Sequence, residues 1–101
     1  MKRLLPVLMG FALLLLSSTK GWSADFEKGL VAYQRGDYAT ALREWKPLAE
    51  QGNHRAQYKL GLMYRLGDGV PQDNKTALKW WRLAAKQGNA RAQNSMGLIY
   101  R

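Results

Sequence analysis

The feature that most narrows what this chain can fold into is an internal repeat. Residues 37–65 set against residues 73–101, an offset of 36, give 16 identities in 29 aligned positions. They include Asp37/Asp73, Thr40/Thr76, Ala41/Ala77, Leu42/Leu78, Trp45/Trp81 and Ala49/Ala85. The Gln-Gly-Asn runs at 51–53 and 87–89 follow, and then Arg55/Arg91, Ala56-Gln57/Ala92-Gln93, Gly61-Leu62/Gly97-Leu98 and Tyr64-Arg65/Tyr100-Arg101. A fixed period of roughly 20 to 50 residues marks an architecture in which each unit is one supersecondary hairpin that buries its apolar face against its neighbours.

The spacing within a unit is helical. Ala56, Leu60, Met63 and Tyr64 fall at i, i+4, i+7 and i+8, one stripe of a helix over about residues 54–66. Gly67, Asp68, Gly69, Val70, Pro71 and Gln72 break that pattern, and Asp73 is placed to cap the next helix. Ala77, Trp81, Ala84 and Ala85 carry this second helix to Gly88, the usual place of a left-handed C-terminal cap. The earlier hairpin is tighter: Phe26, Leu30 and Tyr33 mark its first helix, Gly36-Asp37 a minimal turn, and Ala41, Leu42, Trp45 and Ala49 its second. A fifth helix begins at Asn89. The expected organisation is a hairpin at 25–52, a hairpin at 53–88 and an incomplete repeat at 89–101.

Gly61 and Gly97 stand inside helices, where glycine costs about 1 kcal/mol relative to alanine. The expectation is that each admits a neighbouring helix at close range. Trp45, Trp81, Tyr64 and Tyr100 recur at the period and are expected to fill the space between successive hairpins rather than to stack on a ligand.

These residues resemble the Sel1-like repeats, relatives of the tetratricopeptide repeats. The stretch Ala56-Gln57, Leu60-Gly61, Tyr64, Gly67, Gly69-Val70, Asp73, Ala77, Trp81, Ala84-Ala85, Gly88 follows that family's pattern nearly residue for residue. Residues 25–51, with Tyr33, Gly36-Asp37-Tyr38 and Ala41, look more like a tetratricopeptide-type opening hairpin with a shorter loop. Thr76 stands where the family often has lysine or glutamate, and the final unit lacks its second helix. The resemblance implies an all-α, right-handed α-solenoid whose helical surface binds a protein or peptide partner, often in a bacterial envelope. Some secreted relatives staple each hairpin with a disulfide; this chain has no cysteine, so nothing claimed for that group carries over.

Ahead of the repeats, Lys2 and Arg3 precede an apolar run from Leu4 to Leu16, and a polar stretch leads to Ala24. A run of 13 residues is short of the roughly 20 that a membrane-spanning helix needs, so residues 1–24 read as a signal peptide cleaved after Ala24, with export to the periplasm or beyond and no stable membrane span after processing. Removing them leaves 13 basic and 7 acidic residues. The basic residues are scattered and an exported chain meets little nucleic acid, so no nucleic-acid partner is expected.

The inventory also leans away from an enzyme. With no cysteine and one histidine, thiol catalysis and multi-histidine metal centres are ruled out. His54 reads as an exposed first-turn residue, Asp73 as a cap and Asp68 as a loop carboxylate; Gly67 and Gly69 follow no strand and precede no Gly-Lys-Ser/Thr, so they form no phosphate loop. No catalytic residue, cofactor or metal is expected. The residues singled out are structural repeat positions: Trp45, Ala56, Gly61, Tyr64, Gly67, Gly69, Asp73, Ala77, Trp81, Ala85, Gly88, Gly97 and Tyr100. The second functional expectation is a binder of cell-wall glycan or another anionic surface through Lys46, Lys59, Lys79 and Arg82. The fifth helix, with Ala92, Met96, Ile99 and Tyr100 on one stripe, is expected either to self-associate or to dock a partner.

Overall fold

A computed structural model describes residues 23–100, the last of them by its backbone. The expected leader therefore lies outside the described residues except for Ser23 and Ala24. Five helices follow: α1 (Phe26–Gln34), α2 (Tyr38–Glu50), α3 (His54–Leu66), α4 (Asn74–Lys86) and α5 (Ala90–Tyr100). The fold is all-α, with no strand among the described residues.

Every helix starts on a side-chain oxygen that takes up backbone donors left without an intrahelical partner. Asp25 accepts from the amides of Glu27 and Lys28 at 2.9 and 3.1 Å, and Asp37 from that of Thr40 at 3.2 Å. Asn53 and Asn89 accept from Ala56 and Ala92 at 3.0 and 2.8 Å. Asp73 takes the amides of Lys75 and Thr76 and also the Thr76 hydroxyl, at 2.7 Å. Hydrogen bonds from the Thr40 and Thr76 side chains, then from their amides, hold the Asp37 and Asp73 carboxyls below the usual carboxylate range. At the other end of α3, Gly67 adopts the left-handed conformation (φ 75°) and donates to the Met63 carbonyl at 2.8 Å. Pro47 lies inside α2 but only three residues from its end, where its missing N–H costs one bond of the last turns.

Inside each hairpin an indole lies on a glycine. Trp45 is wholly buried, stands 2.5 Å from where a Cβ on Gly29 would be, and donates its N–H to the Phe26 carbonyl at 3.0 Å. Trp81 does the same with Gly61 and the Tyr58 carbonyl, again at 3.0 Å. The indoles were expected between successive hairpins; each is wedged inside its own, because the glycine opens a slot on the partner helix and the N–H must be satisfied once buried, and each also shares a buried cluster with the first helix of the next unit, Trp45 with Ala56 and Leu60 and Trp81 with Ala92. Gly29 escaped the sequence reading for a simple reason. The turn between α1 and α2 covers residues 35–37 and that between α3 and α4 covers 67–73, so the first helices correspond at an offset of 32 while the second helices correspond at 36.

Successive hairpins join through the Gln-Gly-Asn runs. Gly52 and Gly88 turn the chain with φ of 100° and 90°, conformations that side chains disfavour. Gln57 then reaches back to the Ala49 carbonyl and Gln93 to the Ala85 carbonyl, both at 3.1 Å, covering acceptors at the preceding helix end. Gln57 is 4% exposed, and its own oxygen accepts from Gln87, at 3.2 Å. Ala41, Ala56 and Ala77 are fully buried, which lets the helices close on one another. A further tie joins the two hairpins: the Tyr33 hydroxyl donates to Asp68 at 2.6 Å, and burial followed by this carboxylate pushes the phenol well above its ordinary range. Asp68 is thus engaged in packing.

For α5 the expectation that is corrected is that of a close approach at Gly97. The stripe of Ala92, Met96 and Ile99 faces the preceding hairpin and packs with Trp81 and Ala84, since these are the apolar residues α4 presents. Gly97 has no heavy atom within 4 Å of an added Cβ, so no neighbour approaches it among the described residues. The exposed flank of α5 carries Leu98, 58% accessible.

Candidate functional site

The first helices of successive units, α1, α3 and α5, are set side by side by the Gln-Gly-Asn joints. Between them lies an open groove of about 430 Å³. Its apolar lining comes from Phe26, Leu30 and Tyr58, and its cationic lining from Arg55, Lys59 and Arg91. The guanidinium of Arg55 sits 4.0 Å from the centre of the Phe26 ring, close enough for cation–π attraction, and 3.5 Å from the exposed Glu27 carboxylate. Lys59 and Arg91 have no carboxylate at ion-pair distance among the described residues. Burial, and after it the positive charges of Arg91 and Arg55, lower the pKa of Lys59. The groove is therefore short of negative charge.

His54, expected to be exposed, is half-buried at the groove wall, and its Nδ1 lies 3.0 Å from the Asn89 side-chain amide. The same amide donates to the His54 carbonyl at 3.4 Å. Asn89 thereby stitches the start of α5 to the start of α3, fixing the width of the groove. Such a tie could not be read from the sequence, because the equivalent of His54 in the next unit is Ala90.

Most of the repeat positions lie away from the groove. Trp45, Ala56, Gly61, Ala77 and Trp81 are in the core, Tyr64 and Ala85 are half-buried, and Asp73 is an exposed cap. Gly67 ends α3; Gly69 packs against Tyr38, whose Cβ would be 2.6 Å from an added methyl. Gly88 alone of the set borders the groove. The side chain of Tyr100 falls outside what is described.

Three of the four cations of the glycan expectation lie at separate places. Lys59 lines the groove, Lys46 lines a separate cleft of about 450 Å³ beside Ser23, Ala24 and Glu44, and Lys79 stands 4.9 Å over the ring of Trp80. Among the described residues there is no group of three or more histidines or carboxylates that could hold a metal ion. No described helix is long and apolar enough to cross a membrane.

Apart from Lys59, the groove residues were missed because they occupy different registers. Phe26 and Tyr58 correspond at the offset of 32 that the short turn imposes, whereas Arg55 and Arg91 correspond at 36. Reading both offsets together would have brought aromatic and cationic positions onto one face.

No curated protein and no solved structure matches the chain. A family model does match part of it, and the part is the hairpin that forms the middle of the groove together with the joint that follows. Residues 54–89 are a Sel1 repeat, a unit that generally mediates protein–protein interaction and is typically a non-catalytic scaffold.

Proposed function

We propose that this chain is an exported, non-enzymatic adaptor of a bacterial envelope, or of the space outside it, that binds a protein or peptide partner along the face formed by α1, α3 and α5. One observation carries the reading: the groove of about 430 Å³ spans three successive units and includes the Sel1 repeat at its centre. A surface assembled from one helix per unit is how a repeat scaffold binds, since stacking creates an extended face that no single hairpin owns. Export rests on the basic leader and the 13-residue apolar run.

A photo-crosslinking side chain placed at Tyr58 in the native host tests the binding face. It should yield a discrete protein adduct, while the same side chain at Lys75, on the first turn of α4, should not. Adducts from Lys75 alone would move the binding face elsewhere. N-terminal sequencing of the purified protein tests export: Asp25 or Ala24 at the start agrees with it, and a retained Met1 on a membrane-bound product does not.

A further inference from the structure

The groove has a chemical character that narrows its partner. Three cationic side chains, Arg55, Lys59 and Arg91, come from two helices and converge on one opening, and among the described residues only Arg55 has a carboxylate nearby. That carboxylate, Glu27, is itself exposed and bridges at 3.5 Å, showing how an acidic group can approach this face from solvent. Beside the cations lie the half-buried faces of Phe26, Leu30 and Tyr58. A purely polar anion would leave these apolar faces wet, and a purely apolar segment would leave Lys59 and Arg91 partly desolvated without a counter-charge.

We infer that the groove takes an acidic peptide segment, one in which carboxylates alternate with apolar side chains: the carboxylates pair with Lys59, Arg91 and Arg55, and an apolar side chain lies against Phe26, Leu30 and Tyr58. This rests on the adaptor reading and specifies its partner. Lysine at position 59 is depressed by burial and by its two cationic neighbours, so a carboxylate entering the groove relieves an existing repulsion. Arginine at 55 and 91 suits the task, since its planar fork can hold a carboxylate through two parallel bonds. The volume is enough for a few side chains, which makes the ligand a short linear segment rather than a folded domain.

The test uses the purified full chain and three probes. The first is a blocked peptide of about ten residues alternating glutamate with leucine and phenylalanine, the second the same peptide with lysine for glutamate, and the third short-chain inorganic polyphosphate. Amide shifts map the site and fluorescence anisotropy gives affinity. The acidic peptide should shift Tyr58, Lys59 and Arg91. The double variant K59E/R91E should weaken it by roughly tenfold or more, and K75E by less than about twofold. The milder K59Q/R91Q pair guards against a folding defect and should weaken binding in the same direction. Equal binding of the lysine peptide in the groove overturns the acidic preference and leaves the adaptor reading standing. Polyphosphate that reproduces the shift map while the acidic peptide does not makes the site one for anionic polymers and overturns the peptide. If no peptide perturbs the groove and the crosslinks arise elsewhere, the adaptor face itself is wrong.

Discussion

A methyl group on Gly61 would lie 2.5 Å from Cδ1 of Trp81 and 3.1 Å from the Ala77 carbonyl oxygen. The indole cannot retreat without losing its bond to the Tyr58 carbonyl. Gly61→Ala should therefore cost about 1 to 3 kcal/mol, an overpacking penalty that outweighs the gain in helix propensity. Gly97→Ala should do the reverse and stabilise by up to about 1 kcal/mol, because no atom of the described residues stands within 4 Å of the new methyl and the residue is inside a helix. Urea unfolding of the two variants checks both signs; equal shifts would mean that the indole slot is not specific. The caps carry a pH signature. The folded-state carboxyls of Asp37 and Asp73 titrate below their ordinary value of 3.8, so their stabilisation is present above that value and is lost as pH falls through the lowered one. Replacing both with asparagine, which also caps, should keep most of the stability near neutral pH and flatten the loss on acidification. Unfolding curves for both proteins across the acid range would reveal an unchanged acid limb if this is wrong. Processing adds a third residue-scale effect. The Asp25 amide donates to the buried Glu44 carboxylate at 3.0 Å, and cleavage after Ala24 would make that nitrogen an α-ammonium. That would turn a hydrogen bond from a neutral donor into an ion pair with Glu44. Glu44→Gln should then destabilise a chain starting at Asp25 more than the unprocessed chain, and urea unfolding of the four proteins decides it.

At the scale of elements, the helices were legible because their apolar residues keep helical spacing and their caps fall where the pattern breaks. The pairing of elements was legible only in part. Trp81 recurs at the period, which announces a structural role, but its partner Gly61 became visible only as a slot in three dimensions. The tie from Tyr33 to Asp68 joins residues 35 apart that belong to no repeated position, so no pattern could flag it. The joints lie between: the identity of Gln57 with Gln93 was evident, while their common task of covering the carbonyls of Ala49 and Ala85 needed the backbone path. Trp81→Ala removes a 2% exposed indole that packs α4 on α3 and meets Ala92 of α5. It should cost about 3 to 5 kcal/mol, enough to unfold a domain of this size. An unchanged melting temperature would place the indole outside the cooperative core.

The molecule as a whole is a set of slots filled in sequence. Gly29 holds Trp45 and Gly61 holds Trp81, and Gly97 repeats the slot on α5 with no atom of the described residues above it. Below, α5 is anchored by Ala92, Met96 and Ile99 against the α4 face, whereas Leu98 on the flank is 58% exposed. A helix of 11 residues has little stability of its own, so in a chain of residues 1–101 α5 should open more readily than α2 to α4 unless its flank is covered. Joining a copy of residues 66–88 after Arg101 would place a tryptophan 20 residues beyond Gly97, the separation that joins Gly61 to Trp81. That extension should raise the melting temperature, slow hydrogen exchange along α5 and suppress self-association. The same extension with alanine in place of the copy of Trp81 should achieve much less, because the slot at Gly97 is then left empty. Sedimentation and hydrogen exchange on the three proteins separate the outcomes. If the unextended chain is monomeric at all concentrations and α5 is as protected as α4, the open slot at Gly97 has no consequence for the assembly of the protein.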